Sequence, residues 1–413
     1  MSRHTPPLAF VIASAAVLTL TASAPAFAQK TYDAGATDTE IKVGNIMPYS
    51  GPASSYGVIG KTEAAFFNMI NAQGGINGRK ITFISYDDGY VPPKAVEQAR
   101  KLVEGDEVLF IFQSLGTPSN VAIQKYMNSK KVPQLFVATG ATRWGDPQNF
   151  PWTIGWQPNY QSEARIYAKY VLDHYPNSKI AVFYQNDDAG KDQIKGLHDG
   201  LGDKASMIIA EKAYEVTDPT IDSQIVALHD SGADIFFTWA APKGAAQAIK
   251  KVYELNWKPK FFLANVSTSV ASVMKVAGLE ASKDIISSAY LKDPTDPAWK
   301  DDAEVKEWQA FMDKWYPDGD KTNSNNVYAY AVAQTLVEVL KQCGDNLTHD
   351  NIMKQAASLK DYSPKMLLPG IKINTGPDDF YPIEQMQLMR FDGEAWRLFG
   401  DIITGEVGHS TTH

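Results

Sequence analysis

One cysteine, Cys343, stands in a chain of 413 residues. A lone cysteine excludes an internal disulfide, so the fold must rest on core burial, which a chain of this length can supply. Cys343 falls late in the helical pattern "LVEVLKQCGDN" and reads as structural. Histidine is also sparse. Of 7 in all, His4 lies in the leader discussed below, and His174, His198, His229, His349, His409 and His413 show no metal-ligand spacing. No G-x-S-x-G nucleophile elbow occurs. Excess positive charge is missing: 39 Lys+Arg against 47 Asp+Glu leave a net charge of −8, with no basic stripe, which argues against nucleic acid as a partner. Past the leader, no segment is apolar enough to cross a bilayer. These absences argue against a disulfide scaffold, a metal or serine hydrolase, a nucleic-acid binder and an integral membrane protein.

At the N-terminus, Arg3 and His4 precede the apolar run "LAFVIASAAVLTL", Leu8 to Leu20, and small residues lead to Ala26-Phe27-Ala28. This is the grammar of a secretory signal peptide covering residues 1–28, cleaved after Ala28. It predicts an exported protein.

From about Glu40 onward, buried-strand runs alternate with amphipathic helices. "IKVGNIM", "KITFISYD", "EVLFIFQ" and "VPQLFVA" read as strands, separated by "GVIGKTEAAFFNMINAQGG", "PPKAVEQARKLVEGD" and "PSNVAIQKYMNSK" as helices. The alternation restarts with "SKIAVFYQ" and runs through "DIFFTW" to "KFFLAN". Near-continuous apolar strands joined by helices indicate parallel sheets covered on both faces. The fold class is therefore α/β, two Rossmann-like blocks in series. Between them lies "DPQNFPWTIGWQPNYQ", a crossover. The last block holds a strongly apolar helix, "NNVYAYAVAQTLVEVLKQ", and a hairpin around Asp392-Gly393, but too few strands for a third sheet. It is expected to return to the first two lobes.

Ligands of doubly wound sheets bind outside the carboxyl ends of the strands. The loops there, "PYSGPASSYG", "QSLGTPSN", "ATGATRWG", "QNDDAGKD", "WAAPKG" and "NVSTSV", offer hydroxyls, amides and aromatic rings. They suit binding and are poor in acid–base catalysts. Gly60-Lys61-Thr62 matches the end of a P-loop, but the leading Gly position is Ser55 and Lys61 falls inside a helix. "QGGINGRK" follows a helix, where a phosphate loop would precede one. The doublets Asp87-Asp88, Asp187-Asp188 and Asp378-Asp379 read as turns or helix caps. No catalytic residue, metal or cofactor is expected.

In this order, "IKVGNIMPYSGPASSYG", "INAQGGINGRKI", "QARKLVE" and "AVFYQNDDAGKD" resemble the periplasmic solute-binding proteins of branched-chain amino-acid-type ABC importers, over roughly residues 40–400. The resemblance implies a type I periplasmic binding fold: two lobes, about 38–156 with 290–370 and 157–289 with 371–407, joined by three hinge segments and closing on a solute. It implies a periplasmic monomer whose partners are a small-molecule solute and an ABC permease in the inner membrane. It places Tyr56 against the ligand's side chain. Ser114, Leu115, Gly116 and Thr117, with Ala138, Thr139 and Gly140, become the donors to a ligand carboxylate. Trp156 and Gln157 at the crossover, Trp239, and Asn325 at the start of the long apolar helix complete the candidate set with Ala189 and Asn265.

Those last two residues depart from the pattern of amino-acid binders. Where they carry a Tyr in the Q-N-D-D-Y-G-like loop, this chain has Ala189. Where they carry an acid to hold the α-ammonium, it has Asn265. An ammonium buried without a countercharge costs several kcal/mol. The expectation is a larger, planar, uncharged or anionic solute such as a benzoate- or cinnamate-type acid, walled by Tyr56, Trp156 and Trp239. The alternatives are a binder of branched-chain amino acids or amides in the same fold, and an exported ligand-sensing receptor domain.

Overall fold

The computed structural model describes residues 1–5 and 30–405. Most of the leader read over 1–28 lies outside the described residues. The chain runs β1 (Thr31–Tyr32), β2 (Glu40–Met47), α1 (Val58–Ala72), β3 (Lys80–Asp87), α2 (Pro92–Arg100), β4 (Phe110–Phe112), α3 (Thr117–Lys130), β5 (Gln134–Val137), β6 (Thr153–Gly155). It continues α4 (Tyr160–His174), β7 (Ile180–Gln185), α5 (Asp188–Leu201), β8 (Ile208–Tyr214), α6 (Asp222–Asp230), β9 (Ile235–Trp239), α7 (Pro242–Glu254), β10 (Lys260–Leu263), α8 (Lys275–Ala277), β11 (Ile286–Ala289). Last come α9 (Ala303–Trp315), α10 (Ser324–Cys343), β12 (Asn346–Leu347), α11 (His349–Ala356), β13 (Gln385–Phe391) and β14 (Trp396–Thr404).

Two sheets result. The first is parallel, in the order β3-β2-β4-β5-β6. Alternation along its strands feeds two cores: Val43, Phe110 and Phe112 face one, Ile46 and Ile111 the other. Both faces are therefore dry, which is why β4 is apolar throughout. The second sheet has the order β14-β13-β11-β10-β9-β7-β8. Its β7 to β11 are parallel, and the β13–β14 hairpin adds antiparallel to β11. The hairpin turns at Asp392-Gly393, where Gly393 sits at φ 103° and the Asp392 side chain accepts from the N–H groups of Glu394 and Ala395. Among the described residues no third sheet of that size forms: the final block supplies α9 and α10 to the first lobe, where α10 packs along α1, and the hairpin to the second. Phe66 and Tyr330 meet edge-on across the α1–α10 contact, ring centres 5.4 Å apart. The chain thus passes between the lobes after β6, after β11 and again before β13.

The acidic doublets serve the backbone. Asp187 caps α5 through the N–H groups of Ala189 and Gly190, Asp87 accepts from those of Tyr49, Ser50 and Gly89, and Asp88 from that of Tyr90. Among the described residues, no helix is long and apolar enough to cross a membrane.

Candidate functional site

The carboxyl ends of both parallel sheets face one cavity between the lobes. It encloses about 120 Å³ open to the centre of a water molecule. At the ~30 Å³ a water occupies in the liquid, that is room for at least about four waters, enough for a small organic solute. Its wall contains Tyr56, Leu115, Gly116, Thr117, Ala138 and Thr139 from the first lobe, with Ala189, Trp239 and Asn265 from the second. Gln157 joins from the first crossing and Asn325 from the first turn of α10.

Local structure explains these positions. Tyr56 rides a 3-10 turn, Ser54–Gly57, ahead of α1. Gly116 has φ 95°, and a Cβ there would lie 2.3 Å from the Tyr90 ring, so only glycine lets this loop pass beneath Tyr90. Thr117 opens α3, and its Oγ1 bonds Thr139 Oγ1. Trp239 ends β9 and stacks on Tyr167, ring centres 5.5 Å apart and 6° from parallel. Ala189 occupies the first turn of α5 and presents only a methyl group at the wall. The helices α3, α4, α5, α7 and α10 all begin at this wall, so the positive ends of five helix dipoles converge on it.

Three expected site residues stand behind the wall. Trp156 is fully buried, donates from Nε1 to Thr335 Oγ1 at 3.0 Å, and meets Tyr328 and Tyr290 edge-on. It backs two rings that do line the cavity. Ser114 donates to Asn120 Oδ1, and Asn120 returns a bond to the Ser114 carbonyl, so this hydroxyl is consumed within its own loop. Gly140 makes room for the crossing: a Cβ there would lie 2.5 Å from the Pro158 carbonyl oxygen.

Other wall residues were not expected: Tyr90, Tyr160, Gln185, Tyr290, Tyr328 and Asp293. Tyr90 follows the Asp87-Asp88 turn at the carboxyl end of β3, so the strand-end rule could have found it. Tyr328 sits in a helix so apolar that periodicity assigns it to core. Burial pushes the phenols of Tyr56, Tyr90 and Tyr328 well above their ordinary value, so all three are neutral hydroxyls near neutral pH.

The lobes are shut on this cavity. Tyr56 Oη donates to the Val266 carbonyl at 3.2 Å, and Gln185 Nε2 donates to Tyr90 Oη at 3.3 Å. The Thr142 N–H donates to Asp192 Oδ2 at 2.6 Å, and Arg143 pairs with Asp188 at 2.8 Å.

Electrostatically, the wall has one cation and one acid. Lys292 is held by Asp302 and Glu304, 2.9 and 2.8 Å away. Asp293 Oδ1 accepts from the Thr295 N–H and hydroxyl, and burial pushes its carboxyl up to about 6. By contrast, Gln157 Nε2, Trp239 Nε1, Asn265 Nδ2 and Asn325 Nδ2 are buried nitrogens of wall residues with no hydrogen-bond partner. A buried donor left unmade costs ~1–3 kcal/mol, so these four nitrogens are wall donors that no protein group takes up. One layer beneath Asn265 lies Glu163, fully buried, whose Oε1 accepts from the Asn265 N–H at 2.7 Å. Its place is legible only in hindsight: Tyr160, Glu163, Tyr167 and Val171 share one helical stripe.

Comparisons with known proteins agree on the family. The family described as Periplasmic binding protein matches residues 40–395. The Leu/Ile/Val-binding protein homolog 1 of Brucella abortus (strain 2308) is 25% identical over 321 residues, 76% of this chain and 81% of that protein. A branched-chain amino acid ABC transporter protein from Thermus thermophilus, solved with bound valine, superimposes with TM-score 0.80 at 12% identity, over 89% of this chain and 97% of the other. An ABC transporter solute-binding protein from Rhodopseudomonas palustris BisB5, solved with 3,4-dihydroxybenzoic acid, gives TM-score 0.74 at 18% identity, over 89% and 98%. The chain belongs to the periplasmic binding protein family, as a two-lobed solute-binding protein of the Leu/Ile/Val-binding type.

Proposed function

We propose that the protein is the periplasmic receptor of an ABC importer, exported by its leader and acting as a monomer. Its lobes, 38–156 with 290–370 and 157–289 with 371–407, close on a small aromatic or hydrophobic carboxylate and deliver it unchanged to an inner-membrane permease. The observation that carries the reading is the set of partnerless N–H groups on wall residues Gln157, Trp239 and Asn325, beside the hydroxyls of Thr117 and Thr139. Such a wall offers an ammonium only neutral acceptors and no uncommitted countercharge, and it supplies donors to an anion. Asp293, the one wall acid, is already engaged by Thr295. The rings of Tyr56, Tyr90 and Trp239 supply flat apolar area, and Ala189 leaves room for a ring. Both a dihydroxybenzoate and a valine are held by proteins of this fold, so the choice between them rests on this wall.

Closure follows from the same donors. A solute drives it only through contacts made better in the closed state, and here the donors of both lobes and of the crossing meet the solute only when the lobes are shut. A thermal-shift screen tests the solute class. Benzoate and cinnamate at ~100 times Kd should raise the melting temperature by several degrees, and leucine, valine and their amides should not. Stabilisation by leucine without stabilisation by any aromatic acid would end the carboxylate reading.

A further inference from the structure

Glu163 stands at the start of α4, wholly buried, in contact with two cavity-lining residues. Its two carboxyl oxygens have unequal surroundings. Oε1 accepts three bonds: from the Asn265 N–H at 2.7 Å, from Tyr167 Oη at 2.9 Å and from Ser288 Oγ at 3.2 Å. Oε2 accepts none. The side-chain amide of Asn265 lies near enough to act on this carboxyl, yet its Nδ2 makes no bond of good geometry. Asn265 is itself part of the cavity wall. Two unsatisfied polar groups therefore lie side by side, one in the wall and one directly behind it.

We propose that Glu163 is a positioning residue that sets the cavity's selectivity: a proton on its Oε2 determines which end of the Asn265 amide faces the solute, and the proton-bearing form selects a carboxylate. The inference rests on the solute class proposed above and deepens it. An amide side chain has a donor end and an acceptor end, exchanged by a half-turn about Cβ–Cγ. When Glu163 is ionised, Oε2 needs a donor, so Nδ2 turns inward and Oδ1 confronts the solute. When Glu163 is protonated, Oε2–H needs an acceptor, so Oδ1 turns inward and Nδ2 is offered to the solute. A carboxylate guest is repelled in the first state, by Oδ1 and by a second buried negative charge, and bound in the second. Binding the anion thus draws one proton from solvent onto Glu163, and no other group need change charge.

The packing around Glu163 supports a carboxyl that changes charge without a counterion. From α4 it is faced by Tyr160 and Tyr167, from β9 by Trp239 stacked on Tyr167, from β10 and the following turn by Leu263 and Asn265, from β11 by Ser287 and Ser288, and beyond these by Tyr290 and Met386. The titratable members are phenols, which burial pushes further above neutrality. Burial likewise pushes the Glu163 carboxyl up to about 7, against the opposing pull of its donors, so both charge states are populated near neutral pH.

Calorimetric titration of the full protein with benzoate and with its isostere benzamide, between about pH 5.5 and 8.5, tests the proposal. Benzoate stays ionised throughout, so a change in its affinity reports the protein. The benzoate Kd should rise above pH 7 with a slope approaching tenfold per pH unit, and titrations in buffers of different ionisation heat should show uptake approaching one proton at about pH 8.5 and vanishing at about pH 5.5. Glu163→Gln, which keeps an N–H donor toward Asn265 Oδ1, should bind benzoate with a pH-independent Kd close to the low-pH value. The proton-uptake measurement uses the native chain and stands even where the variant folds poorly. A flat benzoate profile without proton uptake, or a Glu163→Gln profile as steep as the native one, overturns the proposal. Benzamide bound more tightly as pH rises, with benzoate bound at no pH, keeps the Glu163 switch and overturns the carboxylate reading instead.

Discussion

The empty protein should lose stability as pH rises toward neutrality, and Glu163→Gln should abolish the part of that loss due to one carboxyl. The Glu163 group stands at about 7 in the folded chain, against 4.5 for an exposed glutamate. Because the folded state holds this proton more tightly, its contribution is fully present below about pH 4.5 and is lost as pH climbs through about 7. At ~1.4 kcal/mol per unit, the gap amounts to about 3 kcal/mol. Glu63 is pushed up in the same direction by burial, and Asp293 to about 6. Asp392 is held at about 2, chiefly by the Ala395 N–H, and its contribution is lost only on strong acidification. These other groups cancel in a comparison of the native chain with Glu163→Gln. Urea unfolding of both at about pH 5 and pH 8.5 gives the double difference. The variant should be close to the native chain at pH 5 and gain on it by about 2–3 kcal/mol at pH 8.5. Parallel profiles, or a native chain that gains on the variant as pH rises, would show that Glu163 is ionised and satisfied in the fold, contrary to the reasoning.

Three further outcomes follow from the cavity wall. Tyr56→Phe with Tyr90→Phe removes the two hydrogen bonds that cavity-lining tyrosines make between the lobes. At ~1 kcal/mol per bond, solute affinity should fall about tenfold or more while the chemical denaturation of each lobe barely moves, read by calorimetry and urea titration. Gly116→Ala, which drives a Cβ into the Tyr90 ring at φ 95°, should abolish binding while circular dichroism keeps its α/β signature. Trp156→Phe removes the bond to Thr335 and should cost ~1–2 kcal/mol of stability without altering the ranking of solutes, because the ring backs the wall and does not form it.

The sheets could be read from the sequence because both of their faces are covered. That makes "FIF" and "IFFTW" apolar without interruption, and it marks each strand's carboxyl end by the abrupt switch to Gly, Ser and Thr. The loops that carry the wall residues Tyr56, Gly116, Thr117, Thr139 and Asn265 were legible for the same reason, while the choice of those residues within the loops came from the resemblance to solute-binding proteins. What escaped depends on side-chain direction across lobes. Trp156 and Trp239 sit in similar aromatic stretches, yet one turns toward Thr335 and the other ends a strand at the cavity. Tyr328 and Glu163 lie on helical stripes whose periodicity says only "buried". Whether such a stripe meets a core or a cavity is settled by how the two sheets are apposed, which no local pattern encodes. Glu163 shows this most sharply: the acid sought near Asn265 in the strand-end loop is absent there, and one stands behind it on α4.

The most direct test of the account is a crystal structure of the complex with a benzoate-type acid. The account predicts closed lobes, the ring between Tyr56 and Trp239, and carboxylate oxygens within ~3.2 Å of at least two of Gln157 Nε2, Trp239 Nε1, Asn265 Nδ2, Asn325 Nδ2 and Thr117 Oγ1. A guest whose ammonium pairs with Asp293, or a carboxylate seated away from all five donors, would contradict it.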